Sequence, residues 1–160
     1  MTGPTLRDER ATPPDVLGRE GVRLGRSATD KHDAVRQCGE LLVEIGAVAA
    51  PYADAMHERE RSISTYVGEG IAIPHGTDES RVHVLRTALA VITFPDGVDW
   101  DGGRVFACVA IAASGSEHVA LLSALADVLL DPDQAAALRS ARTADEVMTL
   151  LAPHPEESNA

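Results

Sequence analysis

Apolar residues recur at steps of three and four along residues 30 to 45, and this spacing predicts a helix with one buried face. The apolar positions are Ala34, Val35, Cys38, Leu41, Leu42 and Ile45. Gly46 marks the expected end of this helix. A second helix is predicted from Pro51 to about Ser62, because proline suits the first helical turn and Tyr52 and Met56 would share one side.

Two nearly continuous apolar runs predict strands that are covered on both faces. They are "RTALAVITF", residues 86 to 94, and "RVFACVAIA", residues 104 to 112, each bounded by Gly, Pro or Asp. A brief strand signal occurs at Val22 to Leu24, and a short run of Ile and Ala ends at Ile73. These segments predict a sheet with two long buried strands and several short ones.

The last third of the chain has the start signals of three helices. Ser114 and Glu117 have capping-box spacing, Thr143 and Glu146 repeat it, and Asp131 precedes a proline. The order is strand, helix, helix, short strands, two buried strands and then helices. This order predicts an α/β protein with a three-layer α/β/α sandwich.

A chain of 160 residues suits one domain, which we place at residues 21–153. Residues 1–20 hold prolines and charges without apolar periodicity and are expected to form a flexible N-terminal tail, with a short C-terminal tail at 154–160. No apolar stretch approaches the roughly 18 residues that suggest a membrane span, and the N-terminus lacks a signal-peptide apolar region. We therefore expect a cytoplasmic protein without direct membrane insertion.

The charge balance limits the possible partners. With 25 acidic and 14 basic residues, the net charge is −11, which argues against a broad phosphate-binding surface and so against nucleic acid. Any anion site must be local and built from a few arginines. Cys38 and Cys108 each lie in an apolar run, so we interpret them as small buried residues in a reducing compartment.

Several catalytic signatures are missing from the sequence. The six histidines are His32, His57, His75, His83, His118 and His154. No two of them have the i, i+4 spacing of a helical zinc pair, and no Cys-x-x-Cys, G-x-S-x-G or Walker motif occurs. We therefore expect no metal and no cofactor, and we interpret all except His75 and His118 as surface residues.

The stretch "GIAIPHGT" draws attention to His75. Pro74 fixes its own φ and biases Ile73 toward an extended conformation, while Gly76 lets the chain turn and lets a bulky group approach the backbone. His75 would thus be held outward, open to solvent, at the end of a strand. The hydroxyl of Thr77 and the nearby backbone N–H groups could face an anion. By itself, a histidine on a loop is more often solvent-facing or a cap.

The wider segment "HERERSISTYVGEGIAIPHGT", residues 57 to 77, closely resembles the active-site segment of a known family. This is the enzyme IIA component of the mannitol and fructose class in the bacterial phosphoenolpyruvate-dependent sugar phosphotransferase system. The passage "IAASGSEHVALLSALADVLLD" resembles the strand-to-helix segment that supplies a second active-site histidine. The resemblance covers about residues 21 to 152.

The resemblance implies a phosphotransferase with a phosphohistidine intermediate. His75 would take a phosphoryl group from the phosphocarrier HPr and pass it to a cysteine of the IIB domain of a IIBC permease. Arg59 and His118 match the other active-site residues, and Gly76 and Thr77 would bind the phosphate. The fold implied is a mixed sheet between helix layers, so residues 21–153 would form one IIA-type phosphocarrier domain.

Other interpretations remain open at this point. Without the resemblance, Arg59 would be a solvated residue paired with Glu58, and His118 a partly buried histidine near a helix start. Asp78 and Glu79 could repel a phosphate. An alternative function is a regulatory IIA-like module whose phosphorylation state controls a partner protein. Another is a metal-dependent hydrolase with His75 and His118 as ligands.

Overall fold

The computed structural model describes residues 16–113 and 116–151. Its α-helices are α1 (Lys31–Glu44), α2 (Pro51–Ser62), α3 (Ser116–Leu129), α4 (Pro132–Arg139) and α5 (Ala144–Leu151). Its strands are β1 (Val22–Arg23), β2 (Tyr66–Gly68), β3 (Ile71–Ala72), β4 (Ala88–Trp100) and β5 (Gly103–Ala112). Short 3₁₀ helices span Arg19–Gly21 and Glu79–His83.

The strands form one mixed, five-stranded sheet in the order β1-β4-β5-β3-β2. The central pair, β4 and β5, is antiparallel, whereas β1 is parallel to β4 and β3 is parallel to β5. The expected mixed sheet is therefore confirmed. β4 continues beyond the predicted end at residue 94, because pairing with β5 resumes at Val98 after an irregularity that follows Thr93.

Apolar side chains cover both faces of the sheet, since successive residues of a strand point to opposite sides. The cluster shared with α1 and α2 includes Val35, Leu42, Tyr52, Met56, Ala90, Ile92 and Cys108. The cluster shared with α3, α4 and α5 includes Leu89, Val91, Val109, Ile111, Leu125, Leu138 and Val147. Helices therefore lie on both sides, and the predicted three-layer α/β/α sandwich is confirmed.

The first two helices follow their sequence signals closely. The side chain of Asp30 accepts a hydrogen bond of 2.8 Å from the backbone N–H of Asp33 and caps α1. This helix ends just before Gly46, whose φ of +78° is unstrained only for glycine. α2 has the predicted bounds and begins with its proline.

Two of the three helices predicted in the last third, α4 and α5, begin where the sequence predicts. Asp131 accepts hydrogen bonds from the first backbone N–H groups of α4. The Thr143 hydroxyl accepts a hydrogen bond of 3.1 Å from the backbone N–H of Glu146, as in a capping box. The carboxylate of Glu146 instead accepts from the backbone N–H of Arg142, one residue earlier than the motif requires. The predicted cap at Ser114 lies outside the described residues.

The predicted boundary between the N-terminal tail and the domain, at residue 20, lies too late in the chain. Val16 and Leu17 are buried, with 4% and 1% of their surface exposed, and they join the cluster beneath α3, α4 and α5. This pair is too short to show a periodic pattern, so no local signal predicts its burial. Of the other expected tail residues, Arg19 and Glu20 lie in the 3₁₀ helix Arg19–Gly21, whereas 1–15 and 154–160 lie outside the described residues.

Candidate functional site

His75 lies beside the end of β5. The chain leaves β3 at Ala72, and His75 then forms an isolated parallel bridge with Ile111. The backbone N–H of Ile111 donates a hydrogen bond of 2.9 Å to the carbonyl of Pro74. The segment before His75 is thus fastened to a central strand of the sheet.

The ring of His75 has a defined hydrogen-bond partner. Its Nδ1 lies 2.8 Å from the carbonyl oxygen of Ile73. A carbonyl only accepts hydrogen bonds, so Nδ1 must carry the proton, and Nε2 of the neutral ring holds the free lone pair. This contact with a backbone carbonyl orients the ring and selects Nε2 as the nucleophilic atom.

His75 is more deeply set than the sequence predicted. Only 8% of its surface is exposed, so the expectation of a ring open to solvent is wrong. Burial lowers the pKa of His75, the carbonyl of Ile73 opposes this change, and the positive charge of Arg59 lowers the pKa further. The imidazole is therefore neutral at pH 7, as a nitrogen nucleophile requires.

His118 lies in the first turn of α3, directly beside His75. The two ring centroids are 5.1 Å apart and the ring planes are tilted by 58°. Burial lowers the pKa of His118, and positive charge on His75 lowers it further. Its buried Nδ1 has no hydrogen-bond partner within residues 16–113 and 116–151. A buried nitrogen without a partner is unusual, and beside His75 it could form a hydrogen bond to an anion that is bound only transiently.

Arg59 lies in the last turn of α2 and is half-buried. Its Nη1 donates a hydrogen bond of 2.5 Å to the carbonyl oxygen of Ile63, rather than pairing with Glu58. Its positive charge lowers the pKa of both His75 and His118. The guanidinium of Arg59 therefore lies within electrostatic range of the two imidazoles.

The backbone N–H of Gly76 is not available to a phosphate, contrary to the prediction. It donates a hydrogen bond of 2.9 Å to the hydroxyl oxygen of Tyr52. A Cβ atom at Gly76 would lie only 2.7 Å from Cε1 of the Tyr52 ring. A bulky group does approach this glycine, as predicted, but it is a phenol from α2. Sequence analysis assigned Tyr52 only to a buried helix face, because no local signal shows which loop it meets.

The residues after Gly76 form a small polar corner. The Thr77 hydroxyl oxygen accepts a hydrogen bond of 3.3 Å from the backbone N–H of Ser80, and its own hydrogen remains a potential donor. Asp78 forms an ion pair of 3.0 Å with Arg81, and the Asp78 side chain is 86% exposed. The expected repulsion of phosphate by Asp78 is thus offset by an adjacent guanidinium. The charge of Arg81 also lowers the pKa of both site histidines.

The described residues, 16–113 and 116–151, hold no group of three His, Cys, Asp or Glu side chains placed to bind a metal ion. What the structure brings together is two neutral imidazoles, with the guanidinium groups of Arg59 and Arg81 nearby. Positive charge beside an unprotonated nitrogen favours the approach of an anionic electrophile. The arrangement can therefore accept a group such as a phosphoryl.

Comparison with known proteins likewise points to phosphoryl transfer. Residues 15–153 match the model of the family described as phosphoenolpyruvate-dependent sugar phosphotransferase system, EIIA 2. The multiphosphoryl transfer protein of Escherichia coli O157:H7 is 45% identical over 136 residues, which are 84% of this chain and 36% of that protein. The chain thus spans about a third of the length of this relative.

Two further relatives are covered almost completely. The mannitol-specific phosphotransferase enzyme IIA component of Halalkalibacterium halodurans is 39% identical over 85% of this chain and 94% of its own length. A chain in the structure of the complex of enzyme IIAMTL and phosphorylated enzyme IIBMTL from Escherichia coli has 36% identity and a TM-score of 0.78, with 85% of this chain and 98% of that chain covered. The protein therefore belongs to the EIIA 2 family of the phosphoenolpyruvate-dependent sugar phosphotransferase system.

Proposed function

We propose that this protein carries a phosphoryl group on Nε2 of His75. It accepts the group from phosphorylated HPr and donates it to a cysteine of a IIB domain, in the uptake of a sugar of the mannitol or fructose type. The observation that carries this proposal is the hydrogen bond from Nδ1 of His75 to the carbonyl of Ile73, which leaves Nε2 as the nucleophile beside His118. Family membership supports the same role.

The accepting step needs no proton transfer at His75. The lone pair of Nε2 attacks phosphorus in line, and the bond between phosphorus and the donor atom of HPr breaks with its electron pair left on that atom. In the donating step a cysteine sulfur of the IIB domain attacks phosphorus. The electron pair of the N–P bond then returns to Nε2, so the carrier leaves each cycle unchanged.

The surrounding positive charge stabilises the transferring group. Negative charge spreads over three phosphoryl oxygens in the transition state, and preorganised donors lower the barrier to transfer. Arg59 offers a planar guanidinium with several donors, and Arg81 adds a second cation near both imidazoles. His118 and the first turn of α3 add ring and backbone donors at the positive end of a helix. Thr77 remains a proposed donor through its hydroxyl.

Exposed apolar residues adjoin the site residues along the chain. They are Ile63, Val82, Leu85 and Val119, each with 64% to 80% of its surface exposed. Ile63 holds Arg59 through its carbonyl, Val82 follows Arg81, and Val119 follows His118. Apolar side chains exposed next to site residues suit brief docking of successive protein partners. This surface supports HPr and a IIB domain as partners of the same site.

We further propose the cytoplasm as the compartment of this carrier. Cys38 and Cys108 are both free and buried, which suits a compartment where thiols stay reduced. Hydrogen bonding to Cys38 and burial raise the pKa of Cys108, so its thiol stays protonated. Within the described part of the chain, no helix has the length and apolar character needed to cross a bilayer.

Reconstitution of the relay tests this proposal. With phosphoenolpyruvate, enzyme I and HPr, the protein should gain a single acid-labile phosphate, which should move to a IIB domain when one is added. The His75→Gln variant should stay unlabelled, whereas the matched surface variant His83→Gln should label like the wild type. Full labelling of His75→Gln would refute the assignment.

Two measurements on the same purified protein would favour one of the alternative functions. A phosphoprotein that cannot donate to any IIB cysteine, yet binds a regulator, would favour the regulatory module. About one zinc ion per chain after purification without chelators would favour the metal-dependent hydrolase. Transfer to a IIB cysteine by metal-free protein would contradict both.

A further inference from the structure

The hydroxyl group of Tyr52 forms two buried hydrogen bonds at the site. It donates a bond of 2.8 Å to the carbonyl oxygen of Ile111 and accepts a bond of 2.9 Å from the backbone N–H of Gly76. Only 2% of the tyrosine surface is exposed, so water cannot readily replace either partner. Both bonds therefore depend on the single phenolic oxygen.

These bonds join three segments, two of which carry a residue of the site and one of which leads to it. Tyr52 lies in α2, the helix that carries Arg59 in its last turn. Gly76 directly follows His75, and Ile111 pairs with His75 at the end of β5, the strand that leads toward His118. The hydroxyl of Tyr52 thus connects α2, the His75 loop and the end of β5.

The direction of the bonds is fixed by the chemistry of the groups. The carbonyl of Ile111 can only accept and the N–H of Gly76 can only donate, so the one hydroxyl proton must point to Ile111. Burial raises the pKa of Tyr52, which keeps that proton in place at neutral pH. The peptide between His75 and Gly76 is thereby held at a fixed distance from β5.

Packing of the ring adds a second restraint on the same peptide. Cε1 and Cζ of Tyr52 would lie 2.7 and 2.9 Å from a Cβ at Gly76, so the ring contacts the loop backbone closely. The loop cannot move toward α2 because of the ring, and the hydroxyl keeps it from moving away. Because the peptide between His75 and Gly76 is restrained on both sides, the orientation of the His75 imidazole is restrained as well.

We infer that Tyr52 is a positioning residue, which acts through the backbone of Gly76 to hold Nε2 of His75 in line for transfer and its Nδ1 on the carbonyl of Ile73. The inference rests on the proposed function, because it assigns a task within that phosphoryl transfer. Tyr52 itself does not touch the transferring group. Its effect should appear in the rate of the chemical step and not in partner docking.

The test is the Tyr52→Phe variant, which removes the oxygen and keeps the ring that fills the core. We expect the rate constant for transfer from phosphorylated HPr to fall about 10- to 100-fold, the scale of a misplaced reacting group. The apparent KM for phosphorylated HPr should change less than about threefold, because Tyr52 is buried and the exposed apolar residues are unchanged. Nitrogen-15 NMR of the unphosphorylated protein should show a loss of the pure Nδ1-protonated tautomer at His75.

Tyr66→Phe is the matched control, since it removes the same atom from the other tyrosine, whose side chain is exposed. It should transfer at the wild-type rate. A Tyr52→Phe protein with a lower melting temperature but an unchanged rate constant and tautomer would show a structural role only and overturn the inference. Failure of wild-type His75 to take up phosphate would instead refute the proposed function, and the tautomer measurement would still test the positioning role by itself.

Discussion

Removal of the Glu60 carboxylate should strongly destabilise the protein. Glu60 lies beside Arg59 in α2 and is 5% exposed. Its Oε2 accepts hydrogen bonds from the backbone N–H of Thr65 at 2.9 Å and from the Trp100 indole at 3.0 Å. Its Oε1 accepts a third bond, of 2.6 Å, from the Thr65 hydroxyl. One carboxylate thus joins the end of α2 to the β4–β5 hairpin.

The size of the effect follows from the groups left behind in Glu60→Ala. Two buried N–H donors lose their acceptor, at about 1 to 3 kcal/mol each, while the Thr65 hydroxyl can rotate to another partner. Removal of a buried carboxylate regains part of its desolvation cost. We expect a loss of about 3 kcal/mol in the free energy of unfolding. At roughly 2 to 4 °C per kcal/mol for a chain of this size, the melting temperature should fall by about 6 to 12 °C.

Urea denaturation followed by tryptophan fluorescence measures this loss, since Trp100 is the only tryptophan and is one of the donors. Glu60→Gln keeps one acceptor oxygen and should cost only about 1 kcal/mol. An exposed position on the same helix, Glu58→Ala, should change stability by less than about 0.5 kcal/mol. A loss below about 1 kcal/mol for Glu60→Ala would refute the reasoning.

Two other predictions concern the site itself. Arg59→Ala should slow phosphoryl transfer by about 10- to 1000-fold in a rapid-quench assay, because one preorganised donor is lost, while Arg61→Ala should not. A wild-type rate in Arg59→Ala would remove this residue from the site. Stability should fall as the pH drops below about 6.5, because the lowered pKa values of His75 and His118 let the unfolded chain bind protons first. The free energy of unfolding should fall by at most about 1.4 kcal/mol per pH unit for each histidine. An equally steep fall with pH in a variant with both His75→Gln and His118→Gln would contradict this prediction.

Local chemical signals account for the parts of the structure that the sequence predicted well. Helix α2 starts at a proline, the predicted strands at 86–94 and 104–112 are nearly continuous apolar runs, and Asp131 caps its helix through its own side chain. Each of these signals acts over a few residues and can be read without knowledge of the fold. The choice of site histidines came from a motif and from family resemblance, and the structure places the two rings 5.1 Å apart.

The features that the sequence could not predict depend on long-range contacts. The phenol of Tyr52 meets Gly76 only because α2 packs over the end of β5, so the amide appeared free for phosphate. His75 is recessed because two segments distant along the chain surround its ring. The burial of Val16 and Leu17 likewise requires the cluster built by the C-terminal helices. A periodic pattern shows which face is buried but not what covers it.

The central claim is that Nε2 of His75 takes the phosphoryl group. The most direct measurement is NMR of the phosphorylated protein, with phosphorus-31 and nitrogen-15 detection, after labelling by phosphoenolpyruvate, enzyme I and HPr. The account predicts one phosphohistidine, at His75, with phosphorus bonded to Nε2 and Nδ1 still protonated. A phosphate on Nδ1 of His75 or on His118 would contradict it.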